Sequence, residues 1–120
     1  MSTTLQHSMQ DASSPAQTKI VILNGEIDES NQAELESLFS KLLSDSSIKN
    51  IVFQINNLEY INSSIIGIFA QQHGNFSEAG KNFVFAQANE HIFDIIDLVG
   101  LTAVVECFDS VNEACLSFED

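Results

Sequence analysis

The chain contains no arginine and only four lysines, Lys19, Lys41, Lys49 and Lys81, against 17 acidic residues. The resulting net charge of -13 repels phosphate backbones and anionic membrane surfaces, which argues against nucleic acid as a direct partner. A pocket built for phosphate normally recruits arginine, whose planar fork matches the anion, and that device is missing. Such a field favours a basic or locally electropositive protein, although a negative surface also serves plain solubility.

Cysteine is equally scarce. Cys107 and Cys115 are too few for a disulfide framework or a zinc set, and they read as reduced thiols packed as small apolar groups. No apolar run approaches the length of a bilayer span, so direct membrane insertion is not expected. Residues 1–17 are rich in Ser, Thr and Gln without an apolar stretch, which is not the pattern of a signal peptide. A reducing, cytoplasmic setting is the expectation. The few glycines form no phosphate-cradling loop, and no cofactor is implied.

What remains is ample for one core. At 120 residues the chain holds one domain, and a hydrophobic share of 44% is that of a folded protein rather than a disordered one. Residues 1–18 form a polar segment compatible with a short edge strand over residues 4–9 or with a loose arm. Lys19-Ile20-Val21-Ile22-Leu23 is a β-branched run closed by Asn24-Gly25, and predicts a buried strand. Asp28, Glu29 and Ser30 then open a helix, with Asp28 as its cap and Leu35, Leu38, Phe39 and Leu42 on one face.

Ile51-Val52-Phe53-Gln54-Ile55 is a second strand, followed by a short polar loop over residues 56–63. A helix follows from about residue 64 to 76, with Ile65, Ile68 and Phe69 inward and Gly67 allowing a neighbour to approach. Phe83-Val84-Phe85-Ala86 predicts a third strand. Asn89 caps the next helix, carrying Ile92, Ile95, Ile96 and Val99 inward and ending at Gly100. Ala103-Val104-Val105 reads as a fourth strand, and Ser110-x-x-Glu113 as the capping box of a last helix. Strands alternating with helices predict a mainly parallel sheet, whose functional loops gather beyond the strands' carboxyl ends.

One stretch stands at such an end: Tyr60-Ile61-Asn62-Ser63-Ser64-Ile65-Ile66-Gly67. Asn62 or Ser63 can cap the helix that begins there. A hydroxyl at the positive end of a helix dipole, beside unpaired amides, is chemically suited to carry a phosphate. Other chemistry fits less well. Ser63 or Ser64 as a nucleophile with His73 or His91 as base lacks the glycine-flanked elbow and an orienting acid. A metal set from His73, His91 and Cys107 lacks any local ligand spacing. Tyr60, the only tyrosine, reads equally as a contact anchor or as a ring packed on the helix.

Gly25-Glu26-Ile27-Asp28 and Ile61-Asn62-Ser63-Ser64-Ile65-Ile66-Gly67 together resemble the two signature segments of STAS domains of the bacterial anti-sigma factor antagonist type. The family carries a Gly-Glu-Leu-Asp-like turn, then an Asp-Ser-Ser/Thr-Gly-Leu-Gly motif at its second helix. Leu98-Val99-Gly100-Leu101 and Ser110-Val111-Asn112-Glu113-Ala114 agree in the tail. The resemblance implies a single-domain STAS-like α/β fold over residues 19–120, with a mainly parallel four- or five-stranded sheet and about four helices.

It also implies a regulator rather than an enzyme. Its partner would be an anti-sigma factor that is a serine kinase of histidine-kinase-like ATPase fold, and a PP2C-type phosphatase would reset it. The acceptor carried over is Ser63, with Ser64 beside it. The partner-binding surface carried over is Asp28, Glu59, Tyr60, Asn62, Ser63, Ser64, Ile65 and Gly67. Asn62 stands where the family has Asp, and Ile65 where it has a small Gly. STAS domains that are not phosphorylated serve as structural or regulatory modules, for example in lipid transport complexes and anion transporters.

Overall fold

The computed structural model describes residues 4–119. A six-stranded sheet is built from β1 (Leu5–Asp11), β2 (Thr18–Ile27), β3 (Asn50–Gln54), β4 (Leu58–Ile61), β5 (Asn82–Ala86) and β6 (Cys107–Phe108). The strands lie in the order β1-β2-β3-β5-β6, with β4 also paired to β2. Only β1 runs antiparallel; β2, β3, β4, β5 and β6 are mutually parallel. The helices are α1 (Gln32–Ser44), α2 (Ser63–Glu78), α3 (Glu90–Leu98) and α4 (Val111–Leu116), with a single 3-10 turn at Leu101–Ala103.

Alternation along the strands separates two cores. Val21, Leu23, Ile51, Phe53, Phe83 and Phe85 point to one face, where they meet Leu35, Phe39, Phe69, Phe76, Ile92 and Ile96 from α1, α2 and α3. Ile20, Val52, Val84 and Ala86 point to the other, where the two turns of α4 bring Ala114 and Cys115. Phenylalanine dominates the larger core: Phe39, Phe53, Phe69 and Phe83 meet mostly edge to face, at 5.2–6.4 Å between ring centres. Such pairs add roughly 0.5–1.5 kcal/mol each beyond simple burial, so the rings lock α1 and α2 onto the middle of the sheet.

Four expectations are corrected. β2 does not end at Asn24-Gly25 but continues to Ile27, because Gly25 adopts φ 97 and passes the carbonyl of Thr4 so closely that a Cβ would sit 2.2 Å from it. The first helix begins at Gln32, not at Asp28. Asp28 closes a turn instead: its carboxylate accepts from the Ser30 amide (2.8 Å) and hydroxyl (2.7 Å), while Asn31 accepts from the Asp28 amide (3.0 Å). The polar loop over 56–63 contains β4, whose Leu58 and Ile61 are buried while Glu59 and Tyr60 face outward. Finally, Ala103-Val104-Val105 is no strand. Gly100 is left-handed (φ 85), the chain turns through a 3-10 element, and the pairing segment is Cys107–Phe108.

Both cysteines are free. Burial, with Asp97 nearby, pushes the Cys107 thiol from an ordinary 9.0 up to about 11, and burial likewise raises Cys115. Both therefore stay protonated near neutral pH. Among the described residues, no helix is long and apolar enough to cross a membrane.

Candidate functional site

β4 delivers the chain to the start of α2, and the junction is Asn62. Its backbone is extended (φ -95, ψ 173), and its side-chain oxygen accepts from the Ile65 amide at 3.0 Å, which makes it the N-cap. Its amide nitrogen donates to Glu29 Oε2 at 2.9 Å. One side chain thus ends the helix and ties it to the β2–α1 turn. Ser63 and Ser64 occupy the first two helical positions, and both are exposed. No acidic residue lies in this first turn itself, and the carboxylate beside it is that of Glu29, held by the cap residue Asn62.

The residues on either side follow from packing. Ile65 is fully buried and Ile66 nearly so, which fixes the phase of α2 and sends the two serines outward. The β-branched bulk at Ile65 therefore lies in the core, not across the approach to Ser63. Gly67 was expected to admit a packed neighbour, but it is exposed, and a Cβ built on it meets nothing within 4 Å. Glu59 and Tyr60 are exposed on β4, with Tyr60 level with Glu26 across the β2–β4 pairing.

A groove of about 300 Å³ runs beside the serine, lined by Ser63, Ile66, Gly67, Val99, Leu101 and Val104. Val99 was expected on the inner face of its helix. It is instead 53% exposed, and Val104 (47%) and Leu98 (87%) are exposed with it. Sequence reasoning missed this apolar lip because Val99 continues the helical spacing of Ile92 and Ile96 and Val104 sits in a β-branched triplet. The left-handed Gly100 breaks both patterns and turns the two valines outward.

The alternative catalytic groups are scattered. His73 packs edge-on against Phe83, with ring centres 5.0 Å apart, as a boundary residue of the core. His91 lines a separate groove with Asn56, Asn57 and Glu59. Among the described residues, no hydrogen bond joins either histidine to Ser63 or Ser64, and no group of three His, Cys, Asp or Glu side chains could hold a metal.

A parallel α/β sheet with one antiparallel edge strand, and a capped, serine-bearing helix start at its carboxyl end, defines a known class of domain. The chain belongs to the STAS domain family, whose model matches residues 10–114. Among individual proteins it is 21% identical over 100 residues to the anti-sigma F factor antagonist of Paenibacillus polymyxa, covering 83% of this chain and 86% of that one. The fold superposes on the crystal structure of an anti-sigma factor antagonist from Mycobacterium paratuberculosis with a TM-score of 0.81 at 19% identity, over 98% and 96% of the two chains.

It superposes on the anti-sigma factor antagonist SpoIIAA in its unphosphorylated form with a TM-score of 0.70 at 15% identity, over 89% and 92% of the chains. The phosphorylated form of SpoIIAA gives 0.63 at 15% identity, over 89% and 96%. The murine anion transporter Slc26a9 contains the same fold, with a TM-score of 0.72 at 16% identity, over 97% of this chain but 21% of the transporter. At these identities the superpositions establish the fold and nothing finer.

Proposed function

We propose that this chain is an anti-sigma factor antagonist: it binds an anti-sigma factor that is also its serine kinase, and phosphorylation of Ser63 ends that binding. The observation that carries the reading is the exposed Ser63 in the first turn of α2, on the rim of an apolar groove. The names of the Paenibacillus relative and of the structural neighbours support it, as does the existence of SpoIIAA in two phosphorylation states. In this reading Asp28, Glu59, Tyr60 and Asn62 belong to the docking surface, with Ile66, Val99 and Val104 as its apolar part. A PP2C-type phosphatase restores the unmodified serine. The chain acts by binding and catalyses nothing itself.

The switch has to be local. A phosphate adds about -1.5 to -2 charges, a small change to a molecule already at -13. Against a carboxylate of the partner, one like-charge contact at 4 Å and an effective dielectric of 20 costs roughly 4 kcal/mol, nearly a thousandfold in affinity. The fold itself tolerates the anion, because it lands on the positive end of α2. The test uses a purified candidate anti-sigma factor of kinase fold. With ATP, the mass of the chain rises by one phosphate and the site maps to Ser63. Ser63→Asp loses partner binding while its thermal midpoint stays within about 2 °C of wild type. Equal binding by wild type and variant would discard the switch.

The Slc26a9 likeness favours a second reading, a STAS module that is never phosphorylated and serves as a regulatory part of a larger transport assembly. Absence of any mass gain with every kinase encoded nearby, together with co-purification with a permease, would select it.

A further inference from the structure

We propose that two copies of this chain associate edge to edge through β1, antiparallel about a two-fold axis at Ser8, to make one continuous twelve-stranded sheet. The starting observation is how differently the sheet edges are finished. β6 pairs over two residues only. The outer carbonyls beside β4 are taken by the Asn89 side chain, which donates to Leu58 O (2.7 Å) and Asn56 O (3.3 Å). β1 has neither protection. It is seven residues long, and after Leu5 every residue of it is exposed. Among the described residues it pairs with β2 alone. An edge of that length presents a row of free amides and carbonyls, which proteins normally blunt with charge, proline or a cover.

Charge identifies the occupant as a second copy. On a chain of net charge -13, like molecules repel almost everywhere. Along β1 that repulsion is weak, for its only charged group is Asp11, which pairs with Lys19. Antiparallel pairing centred on Ser8 sets Gln6 opposite Gln10 and His7 opposite Met9, and Leu5 opposite Asp11. No like charges then face each other, and the two Asp11 carboxylates stand roughly 20 Å apart at the ends of the seam. Met9, 45% exposed, gains apolar cover from the pairing. The seam uses the edge of β2 opposite to β4 and the Ser63 turn, so this proposal does not depend on the function proposed above.

Sedimentation equilibrium on the intact chain tests it between about 10 and 500 µM protein, at low and high salt. The expected result is a reversible dimer that tightens as salt rises, because screening weakens the general repulsion between two anionic bodies. Ser8→Asp sets two carboxylates face to face on the axis and weakens the dimer roughly tenfold or more. Asn75→Asp, an equal charge change on the exposed face of α2, leaves it within about twofold. Hydrogen exchange on the wild type gives a reading that needs no variant: amides in residues 5–11 gain protection as concentration rises. A monomer throughout, equal weakening by both variants, or β1 protection independent of concentration would each overturn the proposal.

Discussion

Gly67 separates the demands of the helix from those of the groove. A glycine in a helix interior costs up to about 1 kcal/mol relative to alanine, through backbone entropy and lost side-chain cover. Nothing packs against it here, so no steric need of the fold accounts for its presence. It lines the groove beside Ser63, where a methyl group would intrude on an apolar visitor. Gly67→Ala should therefore raise stability by about 0.5–1 kcal/mol in urea unfolding while weakening binding to the kinase-type anti-sigma factor. A variant that is both more stable and an undiminished binder would place the docking surface elsewhere. Asn62 shows the complementary case, in which one side chain serves helix and site together by capping Ile65 and holding Glu29.

Asn89 does for an element what Asn62 does for a residue. Its oxygen caps α3 through the Ile92 amide at 2.9 Å, and its nitrogen closes the outer side of β4. Asn89→Ala removes a cap worth about 1 kcal/mol and leaves carbonyls unpaired, so unfolding stability should fall by about 2 kcal/mol. Amide exchange should quicken in residues 56–61 as well as in α3. Loss confined to α3 would show that β4 holds without it. That dependence explains why β4 was hidden in the sequence, whereas β2, β3, β5 and the apolar faces of the helices were legible from β-branched runs and helical spacing. Four residues with only Leu58 and Ile61 inward carry too little periodicity, and the partner they need is the part of β2 beyond Gly25, a glycine that reads as a stop. The same reasoning covers the tail: Val104 and Val105 have strand propensity, but a left-handed glycine and one buried valine decide the path. At the start of α2, Asn62 was legible as a cap because capping chemistry is local. The apolar lip was not, because it joins α2 to the turn after α3, segments some 35 residues apart.

The whole molecule is electrically polarised along its sheet. Lys19, Lys49 and Lys81 stand at or just before the amino ends of β2, β3 and β5, which lie in register at Thr18, Asn50 and Asn82. Lys41 lies in the last turn of α1, and Lys81 donates to the α1 terminal carbonyls of Leu42 (2.9 Å) and Asp45 (2.6 Å). Glu26, Asp28, Glu29, Glu59 and Glu90 gather at the other end, around the starts of α1, α2 and α3, with no lysine among them. The α1 dipole favours its share of this arrangement, with Glu34 in the first turn and Lys41 in the last. The same arrangement gives an approaching partner a direction. On the function proposed above, an electropositive kinase would be drawn to the acidic end, where Ser63 lies. Its association rate should accordingly fall by about tenfold or more between 50 and 500 mM salt. Stopped-flow binding of Glu59→Gln should show a slower association with little change in dissociation, whereas Lys49→Gln should leave association unchanged or slightly faster. A rate indifferent to salt and to both substitutions would mean that the polarity serves the helices alone, and that partner choice rests on the apolar groove.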